Sequence, residues 1–128
     1  MSAHLDIAKE AYAAFGRGDI AAILPVISEQ VEWRVVGPDT LPFPTLSKTR
    51  DEVANYFKQL TEAEEITAFE PREFIDGGDK IVVLGFVAAT VRETKKSFET
   101  EWAHVITMKD GMVTRFIEFF DTAAHPTT

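Results

Sequence analysis

The sequence predicts an α+β domain with the element order ααβαββββ, and three observations carry that expectation. Apolar residues recur at helical spacing through much of the N-terminal half. Four long segments then follow one another, divided by "GGD", "TKK" and "DG", which are hairpin turn signals. Several of those segments are apolar on both faces: "IVVLGFVAATV" holds hardly a polar residue at either parity.

Each element has its own local reason. Leu5, Ala8, Tyr12 and Phe15 form the stripe of a first helix, and Gly16 and Gly18 mark its stop. Asp19 is placed to cap a second, shorter helix with the stripe Ile20, Ile23, Leu24 and Ile27, which Pro25 distorts or ends early. "VEWRVV" reads as the first strand. In "GPDTLPFPTLSK", Pro38, Pro42 and Pro44 exclude regular structure while Leu41, Phe43 and Leu46 remain apolar, so this loop should cover something. Thr49 and Glu52 have capping-box spacing ahead of a third helix with the stripe Val53, Tyr56, Phe57 and Leu60. "EITAFEPREFID", "KIVVLGFVAATVRE", "SFETEWAHVITMK" and "MVTRFIEFFD" are the four strands of an antiparallel meander, and "AAHPTT" reads as a loose tail.

An antiparallel sheet usually leaves one face wet. Here the helices can cover one face, and no element remains for the other, so a homodimer is expected to bury it. The length of 128 residues, 45% of them hydrophobic, suits one domain over residues 1–128. A formal charge of −8 argues against nucleic acid and anionic membrane surfaces as partners. The absence of cysteine excludes disulfides and thiolate chemistry. No apolar run approaches a bilayer span and "MSAHLDIAKEAYAAF" lacks the pattern of a secretory signal, so a cytoplasmic location is expected.

The segments "AAFGRGDIAAIL", "VEWRV" and "EWAHVITMKDGMVTRFIEFFD" together resemble the SnoaL-like branch of the nuclear-transport-factor-2-like superfamily, which includes ketosteroid isomerase, polyketide cyclases and limonene epoxide hydrolase. The resemblance implies a cystatin-like cone: a strongly bent sheet wrapped around three helices, a deep apolar pocket, and homodimers. It implies no cofactor. Ketosteroid isomerase uses an Asp base with a Tyr and a protonated Asp as its oxyanion hole. Alignment puts Val35 at the base, Ala11 at the tyrosine and Ala103 at the oxyanion Asp, so that mechanism is not expected here. The cyclases and epoxide hydrolases often end their last strand with an active-site acid in an aromatic-aromatic-Asp pattern, which Phe119-Phe120-Asp121 matches.

The candidate site residues follow from parity and from that resemblance. Glu118 shares its face with Phe116 and Phe120, so it points into an aromatic pocket wall or, alternatively, pairs with Arg115, Arg92 or Lys109 at an edge. Asp121 is either a second pocket acid, re-aimed at the strand end, or a backbone cap. Both are the candidates for catalytic proton transfer. Ala103 is aligned to the pocket wall, which sends His104 and Trp102 to the other face, toward the dimer contact. A lone His amid apolar neighbours is a satisfied core or interface residue, or a catalytic one. Tyr12, Trp33 and Tyr56, with Phe116 and Phe120, are the expected substrate-lining aromatics. Neither His4 nor His125 has a carboxylate at metal-ligand spacing, and no metal site is expected. These readings point to an apolar cyclic or polyketide-like small molecule as partner, and to an isomerase, cyclase or hydratase. The alternative is a non-catalytic binding or dimeric interaction module of the same fold.

Overall fold

The computed structural model describes residues 3–127. Helix α1 (Ala3–Gly16) leads through two 3-10 turns (Ile20–Ala22 and Leu24–Val26) into strand β1 (Ile27–Val35). Strand β2 (Leu46–Thr49) and helix α2 (Arg50–Ala63) follow, then β3 (Glu64–Asp76), β4 (Lys80–Val91), β5 (Lys96–Lys109) and β6 (Met112–Phe120). A last 3-10 turn (Thr122–Ala124) ends the ordered elements. The six strands form one curved, unclosed sheet in the order β2-β1-β6-β5-β4-β3, antiparallel throughout except for β1 beside β6.

The α+β cone is the fold that the sequence predicted, with two local corrections. Asp19 does cap, accepting from the Ala22 amide at 3.2 Å, but the segment forms two 3-10 turns and no second α-helix. Pro25 lacks the N–H that a continuing helix would need, and Ile27 already belongs to β1. The proline-rich loop also yields a strand: beyond Pro44 the chain is free to pair, and Leu46 and Ser47 lie against Arg34 and Trp33. Thr49 caps α2 by accepting from the Glu52 amide at 3.1 Å. The Glu52 carboxylate returns to the Lys48 amide at 2.7 Å, one residue before the position that a standard capping box satisfies.

Leu41 and Phe43 are buried, Leu41 beneath Gly37 and Phe43 edge-on to Tyr56 at 5.7 Å, whereas Leu46, which belongs to β2, is exposed. The hairpins turn where the sequence marks them, with positive φ at Gly78 and Gly111. The start of α1 is tied to both of these turns by His4, whose Nδ1 lies 3.1 Å from the Gly78 carbonyl and whose Nε2 accepts from the Gly111 amide at 3.2 Å.

The C-terminal segment is a further correction. It was expected to be loose, yet His125 is buried and its Nε2 sits 2.6 Å from Oε2 of buried Glu64. A buried polar contact this close fixes the segment on the end of α2 and the beginning of β3.

On the inner face, Trp102, His104, Ile106 and Met108 of β5 alternate toward the helices and join a core with Ile27, Val53, Ile81 and Val83. On the outer face, two cross-strand rows run through the middle of the sheet: Leu84–Ala103–Phe119 and Val82–Val105–Ile117. Leu84 and Phe119 are exposed there. No helix among the described residues is long and apolar enough to cross a membrane.

Gly85 is where β4 makes room for Trp102. A Cβ at this position would meet Cζ2 and Cη2 of Trp102 and come within 2.6 Å of the Glu70 carbonyl oxygen. Gly85→Ala is therefore expected to destabilise the fold by about 1–3 kcal/mol, read as a lower urea midpoint at unchanged slope.

Candidate functional site

Between the helices and the concave side of the sheet lies a cavity of about 130 Å³, walled almost entirely by aliphatic and aromatic side chains. That is the size range of an engineered cavity of about 150 Å³ that takes up benzene, so it has room for about one ring.

Three polar side chains meet in its wall. His104 and Glu118 are direct cross-strand partners on β5 and β6, so their side chains leave the sheet on the same face. His104 Nε2 lies 3.0 Å from Glu118 Oε1, and His104 Nδ1 lies 2.6 Å from the Tyr12 hydroxyl, which α1 brings in from the other side of the cavity. The proton placement that satisfies every contact has Nε2–H donating to the Glu118 carboxylate and the Tyr12 O–H donating to Nδ1. The imidazole is held flat by Trp102, stacked on it at 4.1 Å, and the Tyr12 ring lies nearly parallel to Phe69 and Trp102, which stack on each other at 5.2 Å. Burial, and then the Glu118 charge, hold the Tyr12 phenol well above its ordinary pKa. Tyr12 is thus a persistent hydrogen-bond donor.

A second polar pair, Glu64 with His125, also lines the cavity. Tyr56 feels the carboxylates of both pairs: burial first, then Glu118, then Glu64 raise its phenol well above the ordinary value. Two further donors are the buried indole N–H groups of Trp33 and Trp102, both in cavity-lining residues and both without an acceptor among the described residues. An unpaired buried donor is costly.

The sequence-predicted residues divide clearly by position. Tyr12, Trp33, Tyr56, Phe116, Glu118 and Phe120 all line the cavity. Ala103 does not: the inward parity of β5 belongs to Trp102 and His104, and Ala103 stands on the outer face. The same alternation corrects the placement of His104 and Trp102, which are in the cavity wall and not at the outer surface. Asp121 is exposed and outside the cavity lining, where its Oδ1 accepts from the Ala123 amide at 3.1 Å and caps the final turn. Phe43 and His125 are cavity residues that parity could not point to, since one comes from an irregular loop and the other from the presumed tail.

The SnoaL-like domain model matches residues 8–116. The chain belongs to the SnoaL-like family. Among solved structures, this SnoaL-like chain is similar to an NTF2-like protein from Burkholderia thailandensis, at 31% identity over 97% of this chain and 95% of that one, with a TM-score of 0.86. An NTF2-like protein from Burkholderia xenovorans is similar at 32% identity over 98% and 95%, with a TM-score of 0.84. TerC, co-crystallised with polyporic acid, is similar at 26% identity over 96% and 95%, with a TM-score of 0.78. A comparison with functionally curated proteins finds no match.

Tyr12 and Tyr56 are the two tyrosines of this SnoaL-like chain, which makes their ionisation observable without interference. A phenol held above its unfolded value of about 10 adds stability that is fully present below that pH and is lost as pH rises beyond it. In an alkaline titration, tyrosinate absorbance is expected to appear together with loss of ellipticity, as one unfolding event. Reversible ionisation in the folded protein near the ordinary value would contradict this account of the burial.

Proposed function

We propose that this SnoaL-like protein is a cofactor-independent proton-transfer enzyme, an isomerase or cyclase, acting on an apolar cyclic carbonyl compound held in the cavity. The single observation that carries the proposal is the Tyr12–His104–Glu118 chain in an otherwise apolar wall. A substrate carbonyl takes the Tyr12 O–H in place of Nδ1, and this frees the Nδ1 lone pair beside the carbon acid. Nδ1 then accepts the α-proton. The electron pair moves onto the carbonyl oxygen, where Tyr12 stabilises it, while Glu118 stabilises the imidazolium it holds through Nε2–H. Return of the proton to the same carbon gives exchange, and to another carbon gives isomerisation. Tyr12 and His104 touch the substrate and are catalytic in this scheme; Glu118 positions His104. That TerC was co-crystallised with polyporic acid supports a small-molecule reading of this cavity.

The test is deuterium exchange into cyclohex-3-enone and its conversion to the conjugated isomer, followed by NMR. Tyr12→Phe and His104→Gln are expected to lower kcat/KM by about 10²–10⁴-fold, the usual range for losing a positioned acid or base. Glu118→Gln is expected to lower kcat with KM kept and to alter the pH profile. Saturable binding with exchange at the background rate in the wild type would leave a binding module in place of an enzyme.

We also propose a homodimer through the outer-face rows around Leu84, Ala103, Val105 and Phe119. Phe119→Asp is expected to yield a folded monomer in analytical ultracentrifugation, where the wild type sediments as a dimer. A wild-type monomer at micromolar concentration would overturn this assembly.

A further inference from the structure

The relay leaves Glu64 and His125 without a role in proton transfer, although both are buried in the cavity wall. Their arrangement fixes the proton positions. His125 Nδ1 lies 3.2 Å from the Thr127 amide nitrogen, and a backbone N–H can only donate, so Nδ1 accepts. The Thr127 hydroxyl donates to the same nitrogen at 2.8 Å. The ring proton is therefore on Nε2, and it is donated to Glu64 Oε2 at 2.6 Å. Glu64 Oε2 thus receives one hydrogen bond from a neutral imidazole. Its other oxygen, Oε1, takes no hydrogen bond from any described residue. The Tyr56 hydroxyl stands near enough for Glu64 to hold its proton in place, yet it forms no hydrogen bond with the carboxylate among the described residues.

A carboxylate removed from water needs more than one donor to offset its desolvation. Here the free oxygen belongs to a residue that lines the cavity, so the missing donor can come from what the cavity holds. We propose that Glu64, held in position by His125, is a second polar station that accepts a hydrogen bond from a ring hydroxyl of the ligand. The substrate class is then a hydroxylated cyclic carbonyl compound, with its carbonyl at Tyr12 and its hydroxyl at Glu64. This inference rests on the cavity being the ligand site. A hydroxyl suits the station better than an ammonium group does, because stripping water from a cation costs far more, and His125 already supplies one donor to the carboxylate. A site built to pair a hydroxyl also rejects the analogue lacking it, so Glu64 determines specificity without touching the transferred proton.

The test uses the full chain and three probes of similar size: p-cresol, toluene and benzylamine, titrated by NMR or calorimetry. Wild type is expected to bind p-cresol at least about tenfold more tightly than toluene, the worth of one hydrogen bond to a charged acceptor. Glu64→Gln presents an amide whose oxygen is kept by His125, and is expected to cut that preference by about fivefold or more, leaving toluene affinity unchanged. Glu118→Gln is expected to keep the preference. Equal binding of p-cresol and toluene by wild type overturns the proposal, whether or not Glu64→Gln folds. So does a preference that survives Glu64→Gln, or one that Glu118→Gln abolishes. Benzylamine binding more tightly than p-cresol overturns the hydroxyl assignment. Binding of none of the three by wild type overturns this inference and the cavity as ligand site together, whereas the other adverse outcomes leave that reading standing.

Discussion

The site depends on one irregularity in the pairing of β5 with β6. Next to the turn the strands pair Lys109 with Met112 and Met108 with Val113. One step further, Thr107 pairs with Arg115, so Thr114 is an extra residue in β6. Its hydroxyl donates back to the Thr107 carbonyl at 3.3 Å. From there onward the register is displaced by one: His104 faces Glu118, and Trp102 faces Phe120. Had the first register continued, His104 would oppose Ile117, and Glu118 would oppose Ala103 on the outer face. A one-residue slip turns every side chain to the other side, so the bulge decides whether β6 offers the cavity a carboxylate. It also lets Val113 and Phe116, three residues apart, face inward together.

With the register set, packing does the rest. Imidazole, indole and phenol rings are layered against one another, Trp102 on His104 at 4.1 Å and Trp33 on Phe116 at 3.9 Å, so the polar atoms have little freedom to swing away. The apolar wall makes each hydrogen bond in the chain stronger than it would be in water, and raises the cost of any group left unpaired. That cost is visible in two places, the indole N–H groups of Trp33 and Trp102. A protein selected for stability alone gains nothing by burying such donors.

Much of this was legible in the sequence, and the limit of what was legible has a physical form. Periodicity located the four long strands, because alternation and turn chemistry are local. It also placed Glu118 beside Phe116 and Phe120 on the cavity face. Local reading failed where the outcome depended on a distant partner. Which parity of β5 faces inward is settled by its neighbours in the sheet, so Ala103 and His104 were assigned to the wrong faces. The Tyr12–His104 contact spans 92 residues of sequence and the Glu64–His125 contact 61, and no spacing rule reaches that far. Pro25 was recognised as a helix breaker, yet whether it shortens an α-helix or leaves only 3-10 turns depends on how soon β1 must begin. Asp121 kept both of its readings until its Oδ1 was found on the Ala123 amide.

The two faces of β5 carry separate tasks on one backbone. Inward residues Trp102 and His104 form the cavity wall, while outward Ala103 and Val105 belong to the apolar rows shared with β4 and β6. A cover on the outer face would oppose fraying of these strands, and therefore slippage of the register that brings His104 and Glu118 together. The homodimer proposed for that face would thus support the site without contributing any residue to it. Such a coupling would run through backbone register, which changes in whole residues, so a slip would move Glu118 off the cavity face altogether.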